Sequence, residues 1–141
     1  MRIITMILAC ALISATAFAE DVYNASRNKV GRVDDDGDVY NAGGTKIGHF
    51  DSDGDVYDGV RNKIGHLDSD GDVYNATRNK IGHIDSDGDI YNATRGKIGH
   101  IDSDGDVYDA ERNKIGNAGA LRRDWVAAFY FYFFRATARA R

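Results

Sequence analysis

The chain has 141 residues, with 18 Lys+Arg against 22 Asp+Glu, 16 glycines, one cysteine and no proline. That length suits a single domain, and 43% hydrophobic residues exclude a wholly disordered chain. Charge is uneven: residues 20–116 carry 12 basic and 21 acidic side chains, a net of −9, whereas residues 117–141 carry five arginines and Asp124, a net of +4. A body this acidic repels a nucleic-acid backbone, so no nucleic-acid partner is expected.

Arg2 precedes a mostly apolar run from Ile3 to Ile13, and small residues follow as far as Ala17-Phe18-Ala19. A basic start, a short hydrophobic stretch and a small-x-small exit predict a signal peptide over residues 1–19. Cleavage near Ala19 would export the chain to the periplasm or the medium. The run is too short for a membrane-spanning helix. Cys10 follows Ile7-Leu8-Ala9 in a faint lipobox, but the apolar stretch is short for lipid attachment. Ordinary cleavage leaves a chain with no cysteine, hence no disulfide framework.

Residues 20–116 are one unit copied with a period of 17, its copies starting at Asp21, Asp38, Asp55, Asp72, Asp89 and Asp106. Such a unit cannot bury its apolar face alone and must pack on its neighbours. In the fourth copy the apolar positions are Val73, Tyr74, Ile81 and Ile84, β-branched or aromatic and too sparse for a helical stripe. Asp85-Ser86-Asp87-Gly88 is a tight-turn signature joining a strand at Lys80–Ile84 to one at Asp89–Tyr91. Asn75-Ala-Thr-Arg-Asn79 forms a longer turn to the next hairpin. The reading is all-β: antiparallel strands with five acidic hairpin tips at 34–37, 51–54, 68–71, 85–88 and 102–105. A glycine recurs mid-strand (Gly31, Gly48, Gly65, Gly82, Gly99, Gly116), where glycine weakens pairing unless the backbone bends, another segment approaches closely or an aromatic covers it. The series Tyr23, Tyr40, Tyr57, Tyr74, Tyr91 and Tyr108 is a source of such cover.

Residues 117–141 change character. Trp125 to Phe134 is ten residues without a charge, followed by Arg135, Arg139 and Arg141. Ten residues cannot cross a bilayer as a helix. The repeats lack large core residues, so the first expectation is that this segment, part of the same domain, plugs whatever the hairpins build. A lipid-contacting aromatic patch flanked by arginines is the alternative. Helix and strand both remain open for it.

Ile-Gly hairpin repeats such as Lys97-Ile-Gly-His-Ile-Asp-Ser-Asp-Gly-Asp-Val-Tyr108, ending in an aromatic segment at 125–134, resemble the five-fold β-flower proteins. The resemblance covers residues 21–134. It implies a pseudo-symmetric array of five β-hairpins forming a shallow, flower-like barrel with the hydrophobic C-terminal segment at its centre. It brings no catalytic motif, and a further likeness to tubby-type barrels suggests lipid association by analogy.

Three constellations bear on chemistry. Asp85, Asp87 and Asp89, and likewise Asp102, Asp104 and Asp106, put three carboxylates within five residues, the oxygen cluster that Ca²⁺ prefers. Neither the EF-hand spacing nor the paired glycines of the RTX repeat is present, so the tips read first as turns and only second as weak Ca²⁺ ligands; no obligatory cofactor is expected. His49, His66, His83 and His100 recur at one position, but at least a strand pair, about 10 Å, separates equivalent residues, too far to share an ion. Asn24-Ala-Ser26, Asn75-Ala-Thr77 and Asn92-Ala-Thr94 match a glycosylation acceptor, yet all fall where a turn wants Asn and Thr anyway. No nucleophile–base pairing, phosphate-cradling loop or isolated carboxylate pair is present, and near-identical repeats suit binding better than catalysis. The expected function is an exported, non-enzymatic structural or binding module of the cell envelope. Its contact with envelope lipid or a cell-wall component would run through Trp125, Phe129, Tyr130, Arg122, Arg123 and Arg135. A carbohydrate-binding array of tyrosines and a calcium-dependent RTX-like module are the alternatives.

Overall fold

A computed structural model describes residues 19–139; Arg2 to Phe18 of the expected signal peptide, with Cys10, and Arg141 lie outside the described residues. Twelve strands follow one another: β1 (Glu20–Asn24), β2 (Lys29–Val33), β3 (Asp38–Asn41), β4 (Lys46–Phe50), β5 (Asp55–Asp58), β6 (Lys63–Leu67), β7 (Asp72–Asn75), β8 (Lys80–Ile84), β9 (Asp89–Asn92), β10 (Lys97–Ile101), β11 (Asp106–Asp109) and β12 (Lys114–Asn117). Each pairs antiparallel with its neighbours in the chain, and β1 pairs with β12, so the sheet closes into a barrel. Closure answers the edge problem: the sixth, truncated copy donates its strand to the first, at Tyr23 opposite Asn117 and Asn24 opposite Gly116. The five acidic tips all lie at one end of the barrel. The turn Ala118–Leu121, closed by an N–H of Leu121 on the carbonyl of Ala118, takes the sixth place there. Antiparallel pairing sends the longer turns, such as 75–79, to the opposite end.

A bulge in every unit decides which side chains share a face. Val73 lies opposite Gly82, but Tyr74 lies opposite Lys80, so Ile81 is the extra residue on β8. Strict alternation from Gly82 would turn Lys80 inward. The added residue instead sends Lys80 outward with Tyr74, while Val73, Gly82 and Ile84 face the interior. The same shift recurs between β1 and β2, β3 and β4, β5 and β6, β9 and β10, and β11 and β12.

The C-terminal segment threads the interior and is helical. Helix α1 (Arg123–Ala127) leads into a π-helical turn, Ala128–Tyr132, and then into α2 (Arg135–Ala138). An α-helix would set 3.6 side chains per turn, whereas the barrel presents six strand glycines around one circuit. The wider turn, with Phe133 N–H reaching the Ala128 carbonyl at 2.8 Å, opens the coil. Six consecutive rings then meet six glycines, each one unit further round: Phe129 on Gly31, Tyr130 on Gly116, Phe131 on Gly99, Tyr132 on Gly82, Phe133 on Gly65 and Phe134 on Gly48. A Cβ at Gly82 would overlap the Tyr132 ring, which is why the strand carries no side chain there. The cover expected from the tyrosine series comes from these rings instead, because each of those tyrosines follows an inward Val or Ile and so alternates to the outer face. Tyr130 donates its hydroxyl to the Tyr23 carbonyl, and Tyr132 donates to the Tyr91 carbonyl at 2.6 Å. Phe50 stacks on Trp125 (5.2 Å between centroids, 16° between planes) and closes the core below the tips.

Candidate functional site

At the acidic end each tip is built by its first aspartate. Asp85 Oδ1 accepts the N–H of Asp87 at 3.0 Å and of Asp89 at 3.1 Å, and Gly88 supplies the left-handed backbone position at φ +94°. The third aspartate belongs to the wall: Asp89 Oδ1 is met by Lys97 Nζ at 3.0 Å and by His100 Nδ1 at 2.8 Å. In the next tip Asp102 accepts from Asp104 and Asp106, and Asp106 is held by Lys114 and by Asn117 Nδ2 at 2.7 Å. Hydrogen bonds from Lys97 and then His100 hold the Asp89 carboxyl below its usual range; Asn117 and then Lys114 do the same for Asp106. The expected calcium triads therefore do gather, with oxygens within 4.8 Å of one another. Two of the three carboxylates in each triad are already used by the turn and the wall.

The outer wall carries the more specific arrangement. Between β5–β6 and β7 lies an open groove of about 640 Å³ lined by Asp55, Lys63, His66, Tyr74, Asn75 and Arg78. One unit earlier, Asp38, Lys46, His49, Tyr57, Asp58 and Arg61 line its equivalent, about 590 Å³. At the seam Lys114 and Asn117 of the last unit face Tyr23, Asn24 and Arg27 of the first, around about 370 Å³. Within a groove the carboxylate orients its neighbours: Asp55 Oδ1 takes Lys63 Nζ at 3.0 Å and His66 Nδ1 at 2.8 Å. That leaves Nε2 as the imidazole's second hydrogen-bonding atom. The imidazole lies against the next tyrosine, 6.5 Å from Tyr74 with 39° between planes. Desolvation, and then nearby Asp51 and Asp55, raise the Tyr57 hydroxyl above its ordinary value, so it stays protonated.

A family model described as 5-fold beta-flower protein matches residues 19–134. The chain belongs to the five-fold β-flower family. No curated protein and no solved structure matches it significantly. In this chain five acidic tips stand at one end, while the wall runs through six units because β1 and β12 complete a petal between them.

The flower separates the residues expected to touch lipid. Trp125, Phe129 and Tyr130 are buried, at 8%, 0% and 2% exposure, and burial pushes the Tyr130 hydroxyl far up. The plug needs their surface for the barrel wall, so the exposed aromatic patch is replaced by a core. Arg122 lies over the Trp125 ring at 4.7 Å and is paired with Asp124 at 2.8 Å. Arg123 donates to the Ser86 carbonyl at 2.9 Å, at the acidic end. Arg135 is exposed on α2, which ends beside Asn24, Ala25 and Ser26 of the opposite end. Sequence reasoning missed the grooves, since each combines a strand pair with the strand and turn that follow. The signal that could have found them was the Arg four residues after five of the six repeat tyrosines.

Proposed function

We propose that this β-flower is an exported, non-enzymatic binding module of the cell envelope that holds its partner on the outer wall. The observation that carries this reading is the recurrence of one outward groove, seen at three places on the wall of a closed ring whose interior its own C-terminal segment fills. Repeated identical surfaces on a filled barrel suit avidity for a repetitive partner rather than one dissimilar catalytic cluster. Export is supported by the pattern from Arg2 to Ala19 and by the start of β1 at Glu20, so that a chain cut after Ala19 keeps its first strand whole. Expression of the full chain, cell fractionation and intact-mass measurement test it. A mass beginning at Glu20 in the envelope or medium is expected; a chain keeping Met1 in the cytoplasm would overturn the reading.

A second reading, contact with anionic lipid, is favoured by charge segregation. Eleven aspartates crowd the tips, whereas Arg27, Arg61, Arg78, Arg95 and Arg112 lie on the opposite turns, with Arg135 and Arg139 at that same end. Flotation with anionic and with neutral vesicles separates the two readings. Retention by anionic vesicles alone, abolished by salt, supports the lipid contact. Trp125 is a poor reporter, being buried and stacked on Phe50.

A further inference from the structure

Five of the six outer turns hold an arginine in the left-handed backbone region: Arg27, Arg61, Arg78, Arg95 and Arg112, at φ 69–71°. An L side chain there costs roughly 1–2 kcal/mol, and glycine is the relaxed choice. The sixth turn shows that the fold accepts glycine, since Gly44 stands at that position with φ +86°. The groove that Gly44 borders is also the one whose wall position holds arginine instead of histidine: Arg32 lies opposite Tyr40, as His49 lies opposite Tyr57 and His66 opposite Tyr74. Where the turn loses its guanidinium, the wall supplies one. By sequence and strand register, each of the six wall positions thus keeps one tyrosine, one lysine and one guanidinium, against the strain in five turns and despite the exchange in the sixth. Simple copying of the repeat explains the five; it does not explain the reciprocal exchange. No ion pair among the described residues holds these arginines.

From this invariant we propose that each groove binds one acidic sugar unit, and that the ring as a whole binds a polyanionic glycan. This rests on the outer-wall binding reading and names its ligand class. The guanidinium offers a planar fork for a carboxylate, while the lysine ammonium is already engaged by the wall aspartate, as Lys63 is by Asp55 at 3.0 Å. The tyrosine offers a ring face for the sugar's C–H surface; the Asp or Asn side chain, and at four positions the histidine Nε2, offer partners for hydroxyls. Groove volumes of about 370–640 Å³ fall within the range of small-ligand sites. Asp58 and Asp109 lower the charge of two grooves, so the other four are the stronger sites.

The test titrates the exported chain with oligogalacturonate, with neutral galactan fragments and with polyphosphate. One variant removes every groove guanidinium by Arg27, Arg61, Arg78, Arg95 and Arg112→Gly with Arg32→His, each a residue the barrel already uses at an equivalent position. A second carries Tyr57, Tyr74 and Tyr91→Leu. Oligogalacturonate binding that falls about tenfold or more in the first variant, at an unchanged or higher melting temperature, supports the proposal. So does a loss in the tyrosine variant that spares polyphosphate. Equal binding by the guanidinium-free chain overturns it, as does polyphosphate binding as tight as that of the uronate and indifferent to the tyrosines. Absence of all glycan binding overturns the proposal alone, because envelope association is read separately by fractionation.

Discussion

The two ends of the barrel use the same turn and fill it differently. At the tips Asp68 Oδ1 accepts from Asp70 and Asp72, and Gly71 takes the left-handed position at φ +95°. At the opposite end Asn75 Oδ1 accepts from Thr77 and Asn79, and Arg78 takes that position at φ +69°. What differs is the neighbour. The carbonyl of Gly71 accepts the N–H of Ile84 from the next tip at 2.8 Å, and a Cβ on Gly71 would overlap the Ile84 carbonyl oxygen. At Gly44 an added Cβ would meet nothing within 4 Å. Sterics choose the residue in one row. In the other row the choice is open, and the side chain can be kept for what it contacts.

Reciprocal exchange is the sharpest way to break that contrast. Gly71→Arg adds backbone strain to an overlap with backbone that cannot move without its own hydrogen bond, so a loss of about 3 kcal/mol or more is expected. Chemical denaturation with Gly44→Arg as its partner measures it. A loss at Gly71 no greater than at Gly44 would show that tip sterics do not decide the residue.

Inside and outside of the wall can be separated next. Tyr132→Phe removes the hydroxyl that reaches the Tyr91 carbonyl and is expected to cost about 1 kcal/mol. The glycan-facing surface stays intact, so any groove binding should survive at temperatures below the melt. A Tyr132→Phe chain that melts normally but no longer binds would place the plug, not the grooves, in control of recognition.

Acid probes the outer girdle. Hydrogen bonds from Lys80 and then His83 depress the Asp72 carboxyl, and Lys97 and then His100 depress Asp89. A depressed folded-state value contributes stability above the unfolded carboxyl value of about 3.9, and the contribution is lost as pH falls through the lower folded value. Lys80→Met with Lys97→Met should therefore move the acid-unfolding midpoint to higher pH. At pH 7 the effect is small, within about 1 kcal/mol per pair, because these side chains are partly exposed. An unmoved midpoint would mean that the lysines only screen the wall.

The strands were legible because the 17-residue period aligns six copies of one pattern, and Lys80–Ile84 emerged as a strand with the bounds expected. The central plug was legible from the missing core residues. Which ring meets which glycine was not, since it depends on a π-helical coil that advances one unit per residue. The groove was hidden by the bulge at Ile81: two-residue alternation from Gly82 assigns Lys80 to the interior, away from Tyr74 and His83. The carboxylate triads were visible as sequence neighbours, but the engagement of Asp89 by Lys97 and His100 comes from pairing across strands.

The smallest expected effect bears most directly on why the arginines are there. Arg78→Gly relieves left-handed strain of roughly 1–2 kcal/mol and gives back part of it, about 0.5–1 kcal/mol, through the greater freedom of the unfolded chain. The net is stability unchanged or raised by up to about 1.5 kcal/mol. Arg78→Asn keeps a side chain suited to that backbone region and should lie between the two. Thermal melts of the three chains decide the matter. If both variants melt at or above the parent, the fold holds Arg78 at a cost, and its retention belongs to a partner on the wall. If both lose stability, the guanidinium earns its position within the barrel, and the contrast between the two rows of turns is one of packing on both sides.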